Sequence, residues 1–484
     1  MGATPSKDSQ WTGEVDGKRV EFTYDRDKDQ KQLRYRYKKS GRHVKIDGDN
    51  IIGLFSVPRG GVSASSLLYV KGANQPPDGK NDQQVPTFRS LVATGLPEDF
   101  IQNFRIDTKL LDLQQEAVAQ STDTPNIHVI VSTLSGTGLA KGFFQDVVRH
   151  VLGHIGFREG KDYLVHHTRS STTVTEIATS VFLPRANDGV PQHIILLSGD
   201  GGVLDTINAL LSRPQSPAYV APVVALLPMG TGNALAHSLG ISRDHTLGLA
   251  TFARGTPKPL PLFRAAFSPG ARLLVDESRR EERLHSEDGT PVLYGAVVCS
   301  WGFHAGLVAD SDTVEYRKYG AERFQMAAKA ALFPEDGSPP HRYRAKVSVL
   351  RKSADGGEKW EVLEREEHMY VLTTLVSSLE KGFTVSPDSK PLDGRLRLVH
   401  FGPMGGEEVM RVMGLAYQGG GHVKEEAVGY EDIEGMRIDF EGREDDPRWR
   451  RICVDGKIIR VEKDGWVEVR KDPRHVLDIL NISS

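Results

Sequence analysis

The chain has 484 residues, more than one hydrophobic core usually accommodates, which predicts two or three domains. Hydrophobic residues make up 38% and charged residues 26% of the sequence, which excludes a wholly disordered chain. The formal net charge of -3 lacks the basic excess that is typical of a dedicated nucleic-acid binder, so no nucleic-acid partner is expected. With two cysteines and no apolar run of about 18 residues, we expect a cytoplasmic protein without disulfides or a spanning helix.

Residues 1–118 are predicted to be a β-rich region of unknown role. MGATPS places Gly2 in the pattern read by N-myristoylation, although a chance match in a flexible tail is the simpler interpretation. Residues 31–46 alternate long polar and aromatic side chains, as a strand with one buried face does. Its basic residues form either a solvated strand face, which we favour, or a patch for anionic lipid or a partner: Lys31, Arg34, Arg36, Lys38, Lys39, Arg42 and Lys45.

Residues 119–258 repeat the order of apolar strand, glycine-rich turn and helix. The first strand is IHVIVS (127–132), and the helix after it has apolar residues on one side. Two further apolar strands begin near residues 193 and 222. Apolar strands that alternate with helices predict a parallel sheet covered on both faces.

Residues 259–484 read as short strands separated by long hydrophilic segments. This pattern favours an antiparallel β domain with a few helices. The segments 278–289 and 335–342 are predicted to be solvated loops, because they combine many charges with turn-forming residues.

Three glycine-rich turns carry the chemistry: LSGTG (134–138), LSGDGG (197–202) and PMGTGN (228–233). Turns between a buried strand and a helix direct backbone N–H groups at one place, which suits a chain of phosphates. The first turn is neither a Walker A loop nor a dinucleotide fingerprint. Asp200 in the second turn either caps its helix or serves phosphoryl transfer as a base or through Mg²⁺, and the companion turns favour the second interpretation.

These motifs resemble those of the diacylglycerol kinase and sphingosine kinase superfamily of lipid kinases. SGDGGVLDTINAL (198–210) is similar to the catalytic segment in its sphingosine kinase variant, and PMGTGNALAHSLG (228–240) to its nucleotide motif. Three later segments resemble further family blocks: 300–324, 386–399 and 454–457. The resemblance implies a Rossmann-like nucleotide-binding lobe of the NAD kinase and phosphofructokinase type at 119–258. It also implies a lipid-binding antiparallel β-sandwich lobe at 259–484.

The resemblance also implies the site residues. Asp200 would be the general base for the lipid hydroxyl, and Asp310 would read the amino-alcohol head group of a sphingoid base. The nucleotide would be bound by Ser135, Gly136, Gly138, Thr168, Gly199, Gly201, Gly230, Thr231, Gly232, Asn233, Arg317, Arg323 and Asp455. ATP and Mg²⁺ are the implied cofactors, and no metal site made of His or Cys is predicted.

Some residues depart from the family pattern. Residues 132–133 are Ser-Thr instead of Asn-Pro, and Asp205 stands for a Glu in the catalytic helix. Residues 455–457 are Asp-Gly-Lys instead of Asp-Gly-Glu, which reverses a charge beside the expected nucleotide. Counted forward from 302–303, the segment that holds Asp310 is about two residues longer than in sphingosine kinases, so its alignment depends on the direction of counting.

The leading hypothesis is an ATP- and Mg²⁺-dependent kinase that phosphorylates the primary hydroxyl of a sphingoid base. Diacylglycerol and ceramide are alternative acceptors. A non-catalytic lipid- or nucleotide-binding relative and an NAD kinase-like enzyme are alternatives of other kinds. A lipid acceptor implies a cytoplasmic protein that associates peripherally with a membrane surface, and the oligomeric state stays open.

Overall fold

A computed structural model describes residues 10–25, 31–59, 62–72, 85–106, 125–133, 136, 138–320, 322–353 and 356–482. The side chains of Arg59, Val62, Ser63 and Arg317 are not part of this description. Gly2 and Ser135, which carry two of the sequence predictions, lie outside the described residues. The described part is a mixed α/β protein with one largely parallel sheet and several antiparallel sheets, which confirms the predicted class.

The N-terminal region is an antiparallel sheet with one helix. Its strands are β1 (Gln10–Val15), β2 (Lys18–Asp25), β3 (Gln32–Tyr37), β4 (His43–Asp47), β5 (Ile51–Arg59), β6 (Val62–Lys71) and β7 (Thr87–Thr94). They pair in the order β4-β3-β2-β1-β7-β6-β5, and helix α1 (Glu98–Phe104) follows. Residues alternate between the two sides of a strand, and in β2 Val20, Phe22 and Tyr24 are buried in the core of this sheet.

This sheet contacts the rest of the chain through β5 and the segments next to it. The Arg254 guanidinium donates to the carbonyl oxygens of Ile52 and Asn103, at 3.1 Å each. The backbone N–H of His245 donates to Asp49 O at 2.8 Å. Side chains of β5 and β6 pack in one apolar cluster with the parallel sheet.

The parallel sheet has six strands, and its central ones are buried on both faces. The strands are β8 (Ile127–Val131), β9 (Tyr163–His167), β10 (His193–Ser198), β11 (Val223–Pro228), β12 (Thr256–Pro259) and β32 (Asp478–Asn481). Their order is β12-β32-β11-β10-β8-β9, and only β12 runs antiparallel to its neighbour. Strand β32 lies beyond the predicted boundary at residue 258, so the end of the described chain returns to the parallel sheet.

Helices cover this sheet: α2 (Ala140–Phe143), α3 (Arg149–Ile155), α4 (Thr173–Ile177), α5 (Leu183–Asn187), α6 (Asp200–Leu210), α7 (Ala234–Ser238) and α8 (Leu249–Arg254). A π-helical turn, Phe144–Val148, joins α2 to α3, and a second one, Ala178–Phe182, joins α4 to α5. The apolar side of the first of these helices is buried, as its sequence pattern predicts.

Two antiparallel sheets dominate the second half. One contains β13 (Leu262–Phe267), β16 (His285–Glu287), β17 (Thr290–Gly295), β20 (Lys346–Lys352), β21 (Glu358–Val362), β28 (Gly435–Asp439) and β31 (Trp466–Asp472). The other contains β14 (Arg272–Val275), β15 (Arg280–Arg283), β18 (Val298–Gly302), β23 (Tyr370–Thr374), β26 (Leu396–Phe401), β27 (Val428–Ile433), β29 (Arg451–Val454) and β30 (Lys457–Arg460). Two small ribbons pair β19 (Tyr343–Arg344) with β22 (Glu367–His368) and β24 (Ser378–Glu380) with β25 (Phe383–Thr384).

The prediction of a loop over 278–289 is wrong, because this segment supplies β15 and β16. Both are edge strands of their sheets, so their side chains face water and can be charged. The segment 335–342 has no helix or strand, as predicted.

The remaining helices are α9 (Phe303–Ser311), α10 (Val314–Arg317), α11 (Glu322–Leu332) and α12 (Gly406–Ala416). Among the residues that the structure describes, no helix is long and apolar enough to cross a bilayer.

Candidate active site

The three glycine turns meet at one edge of the parallel sheet, because they follow the neighbouring strands β8, β10 and β11. The backbone N–H of Ser132 donates to Leu197 O, and that of Met229 donates to Ser198 O, at 3.0 Å each. These bonds continue the strand pairing into the turns. The carboxyl end of a parallel sheet is where such folds bind ligands, and this edge is the candidate site.

The second and third turns touch each other through bare glycine backbone. A Cβ on Gly199 would lie 2.9 Å from Gly230 Cα, and a Cβ on Gly230 would lie 2.6 Å from Gly199 Cα. Real Cβ atoms do not approach other atoms this closely, so both positions require glycine. Similarly, a Cβ on Gly136 of the first turn would lie 2.1 Å from Thr231 Oγ1. Gly136 of the first turn and Gly199 of the second turn therefore each lie against the third turn.

Asn233 fixes the shape of the third turn. Its backbone is left-handed, with φ of 52°, a conformation that Asn tolerates better than most residues. Its Oδ1 accepts from Gly230 N at 2.9 Å, and its Nδ2 donates to Gly230 O at 2.7 Å. Gly232 lies next to the second half of the chain, where a Cβ on it would be 3.5 Å from Leu379 O. Asn233 thus organises the turn, and Gly232 faces the other lobe.

Asp200 is the first residue of α6 and joins the second turn to the third. Its carboxylate accepts from Ala234 N at 2.7 Å and from Leu235 N at 3.0 Å, at the start of α7. Burial raises the pKa of this carboxyl above the ordinary range for aspartate, and the two N–H donors lower it in part. Each oxygen accepts one of these bonds and keeps a further lone pair, which leaves the carboxylate able to accept a proton.

Asp455 anchors the turn between β29 and β30 in the second half. Its carboxylate accepts from the backbone N–H groups of Ala296, Val297 and Val298, at 2.6, 3.0 and 2.6 Å. Burial raises its pKa to about 7, the N–H donors oppose that rise, and the charge of Asp200 adds to it. The charges of Asp455 and Asp200 therefore act on each other. Asp455 therefore lies beside the site, with its oxygens engaged by backbone.

Lys457 and Asp205 form an ion pair between the two halves. Lys457 Nζ lies 2.7 Å from Asp205 Oδ1, with side chains 33% and 14% exposed. One residue belongs to β30 and the other to α6, directly after the second glycine turn. The pair unites two positions at which the sequence departs from the family pattern. Neither residue was predicted to pair, because they lie far apart in the sequence.

The first turn is fixed to β9 through threonines. Thr133 N donates to Thr168 Oγ1 at 2.9 Å, and Thr133 Oγ1 donates to Thr168 O at 2.6 Å. Thr168 is buried, so its side chain holds the turn in place. Gly138 has φ of +67° and no atom within 4 Å of a Cβ position, which leaves its surroundings open. Gly201 is likewise open.

The predicted arginines and Asp310 belong to the helices α9 to α11. Arg323 pairs with Asp312 at 3.3 Å, and its guanidinium lies 4.8 Å from the ring centre of Phe324. Arg317 is the last residue of α10. Asp310 accepts from Arg451 Nη1 at 2.8 Å and from Arg448 Nη2 at 3.0 Å. Each oxygen of Asp310 is thus bound by a guanidinium.

The residues at the carboxyl ends of the parallel strands fit a nucleoside triphosphate. Open glycine backbone and the N-terminus of α6 provide donors for phosphate oxygens. Among the described residues no group of three His, Cys, Asp or Glu is arranged to hold a metal ion. Mg²⁺ commonly takes only one or two carboxylates together with phosphate oxygens and water, so the fit is to Mg²⁺ that is bound mainly by the nucleotide.

Sequence reasoning missed two polar links of the site. Ser238 Oγ in α7 donates to Ser378 O, and Ser378 N donates back to it, at 3.0 Å each. With the Lys457–Asp205 pair, this link connects the two halves beside the third turn. No local pattern signals such contacts, because each joins residues more than a hundred positions apart.

Parts of the chain are similar to a known protein family and to known proteins. Residues 126–265 match the family model described as "Diacylglycerol kinase catalytic domain". Human sphingosine kinase 2 is 26% identical over 238 residues, which cover 47% of this chain and 30% of that protein. Rat sphingosine kinase 1 is 27% identical over 200 residues, which cover 41% of this chain and 46% of that protein. The chain thus spans less than half the length of these two relatives.

A structure titled as a diacylglycerol kinase from Bacillus anthracis str. Sterne superposes with a TM-score of 0.44 and 12% identity. The match covers 75% of this chain and 98% of that one.

Because the second and third turns approach closely, alanine should destabilise the protein at Gly230 but not at Gly201. Gly230→Ala should lower the free energy of unfolding by about 1–3 kcal/mol, because its Cβ has no space beside Gly199. Gly201→Ala is the matched control, since its Cβ would meet no atom. Urea unfolding of both variants measures the difference, and equal stabilities would contradict the contact.

The ion pair between Lys457 and Asp205 predicts that a second substitution restores the stability that a first one removes. Lys457→Glu should lower the free energy of unfolding by about 1–3 kcal/mol, because two carboxylates would then face each other. Adding Asp205→Lys should restore most of the loss by rebuilding the pair in reverse. A double-mutant cycle from thermal or urea unfolding gives the coupling, and strictly additive effects would show that the pair does not contribute.

Proposed function

We propose that the chain is a lipid kinase that transfers the γ-phosphate of ATP to a primary hydroxyl, because residues 126–265 match the diacylglycerol kinase catalytic domain and parts of the chain are similar to sphingosine kinases. The observation that carries the proposal is the convergence of three glycine turns and Asp200 at one sheet edge. The leading acceptor is a sphingoid base, in keeping with the names of the relatives.

Phosphoryl transfer depends mainly on positioning and on charge stabilisation. In the proposal, the glycine turns hold the phosphates through backbone N–H groups, which approach closely because no Cβ intervenes. Gly136, Gly138 and Gly201 are the positions with exposed or open surroundings. Mg²⁺, when bound with the nucleotide, would supply neutralisation of the phosphate charge.

Asp200 is proposed to take the proton of the attacking hydroxyl. The N–H groups of Ala234 and Leu235 hold its carboxylate in one orientation, so no side-chain freedom is lost when the acceptor arrives. Burial increases its basicity by raising its pKa. A fixed, half-buried carboxylate at the start of a helix is therefore suited to orient and deprotonate an alcohol.

Asp310 favours a second acceptor class. A sphingoid base carries an ammonium group, which a free carboxylate would attract. Here both oxygens of Asp310 already bind arginines, and Arg451 is only 10% exposed at its side chain. The two guanidiniums compensate the charge of this carboxylate, which weakens its attraction for an ammonium. This observation favours an acceptor with an uncharged head, such as ceramide or diacylglycerol.

The proposal predicts that phosphorylation depends on Asp200. Asp200→Asn should lower kcat by a factor of about 10²–10⁴, because the proton acceptor is lost while the phosphate site remains. Asp188→Asn is the control, since Asp188 is an exposed carboxylate of the same lobe. The measurement is transfer from labelled ATP to sphingosine, ceramide, diacylglycerol and NAD.

The panel separates the hypotheses. An Asp200-dependent lipid product supports the kinase, and its identity selects between the two acceptor classes. NAD phosphorylation would replace the lipid kinase by a soluble enzyme. Nucleotide binding without any product, together with activity gained by Lys457→Glu, would favour a non-catalytic relative.

The raised pKa of Asp200 predicts an acidic limb in the pH profile. A general base acts when ionised, so activity should be lost as the pH falls through the raised pKa. The limb should therefore lie above the ordinary aspartate pKa of about 3.9. The measurement is kcat/KM against pH, with folding followed in parallel. A profile that stays flat down to about pH 4 in folded protein would contradict the assignment.

A further inference from the structure

One side of the N-terminal sheet is strongly basic. We call it the basic face: the outward side of β2, β3 and β4 and the turn between β3 and β4, with Arg19, Arg34, Arg36, Lys38, Lys39, Arg42 and Lys45. All seven are exposed, whereas the residues that alternate with them in the strands, such as Val20 and Tyr35, lie in the core. The arrangement follows from the alternation of side chains along a strand.

Strand register brings these cations together across the sheet. Arg34 pairs with Lys45 of β4 and with Thr23 of β2. Arg36 pairs with His43 of β4 and with Glu21 of β2. Side chains opposite each other on neighbouring strands are about 5 Å apart, so Arg34 and Lys45 repel each other, whereas Arg36 faces Glu21 and Arg19 faces Glu14 of β1. The cations that face no carboxylate need another counter-charge.

The described chain supplies only part of that counter-charge. Lys38 pairs with Glu21 at 3.3 Å, and Lys45 with Asp47 at 3.1 Å. No described carboxylate lies within ion-pair distance of the other five: Arg19, Arg34, Arg36, Lys39 and Arg42. Exposed arginines of the second half differ, because they are matched to acids, as in the pairs Arg279–Glu277, Arg411–Glu408 and Arg280–Asp276. The sequence favours a merely solvated face, and on such a face we would expect the cations to be paired with acids in the same way.

The basic face also lies away from the contacts with the catalytic half. Hydrogen bonds to that half come from Asp49, Ile52 and Asn103. Strand β4 separates Asp49 from the turn at Lys39 and Arg42 by its own length, about 16 Å at 3.3 Å per residue. Docking of the sheet onto the catalytic half therefore leaves this turn free for a partner.

We propose that the basic face binds the anionic surface of a lipid bilayer. A sheet face that displays ammonium and guanidinium groups matches an array of lipid phosphates, and each such group near the surface contributes about fivefold to binding. The whole chain has a net charge of -3, so the attraction is local and would orient the protein with this face toward the membrane.

Nucleic acid offers the same phosphate charge, but among the described residues of the face only His43 exposes an aromatic ring to bases. Tyr24 and Tyr35 of β2 and β3 are buried, and Tyr37 is half-buried. Binding of single strands usually adds exposed aromatic platforms to the charge. Membrane binding does not need them. This inference does not rest on the kinase proposal, since a bilayer surface can be bound without catalysis.

The test is co-sedimentation of the full chain with phosphatidylcholine vesicles, with and without phosphatidylserine. The parent protein should bind only the phosphatidylserine vesicles, and binding should weaken as salt rises. The variant Arg36→Gln/Lys39→Gln/Arg42→Gln should bind more than about tenfold less tightly. The control is Arg279→Gln/Lys352→Gln/Lys359→Gln, which removes the same charge from side chains that are 76%, 69% and 70% exposed.

Several outcomes would overturn the inference. They are equal losses in variant and control, no dependence on phosphatidylserine, or displacement from the vesicles by an RNA oligonucleotide that binds the same face more tightly. If the triple variant does not fold, the pair Lys39→Gln/Arg42→Gln confines the change to an exposed turn and should still weaken binding severalfold. ATP is left out, so an inactive kinase would not alter the result.

Discussion

The contact between Gly199 and Gly230 is the constraint on which the site depends. Two backbone turns can touch only where neither has a side chain, and this contact sets the distance between the ends of β10 and β11. With the turns in place, Asp200 reaches the first N–H groups of α7. These two N–H groups orient its carboxylate. The role proposed for Asp200 therefore depends on a contact between two glycines that have no side chains.

The second half completes the site through polar links. Asp455 holds three successive N–H groups between β17 and β18, and Lys457, two residues later, pairs with Asp205. Ser238 and Ser378 form a further link beside the third turn. A kinase of two lobes must hold its nucleotide and acceptor in one geometry. These links join the turn-bearing sheet to the lobe in which the acceptor is proposed to bind.

The sequence predicted the parallel sheet, the three turns and the helices after them. Each of these units has a local pattern, in which an apolar run is followed by glycines and then by an amphipathic run. It could not predict that β32 returns to the parallel sheet, since the sequence of a short apolar strand does not indicate which distant strand it pairs with. It also assigned 278–289 to a loop, because edge strands and loops are equally hydrophilic. Asp200 was found through its glycine neighbours. The pairing of Asp310 with Arg448 and Arg451 depends on tertiary contacts that no spacing reveals.

Two departures from the family pattern are coupled in space. With Glu at position 457, a carboxylate would face Asp205, and a cation would be needed between them. Lys457 instead brings its own positive charge to that place, 2.7 Å from the Asp205 oxygen. The charge reversal is therefore compensated locally, and it replaces a possible cation site by an ion pair. Any Mg²⁺ in this site would be held mainly by the nucleotide phosphates, in keeping with the absence, among the described residues, of three His, Cys, Asp or Glu arranged to hold a metal ion.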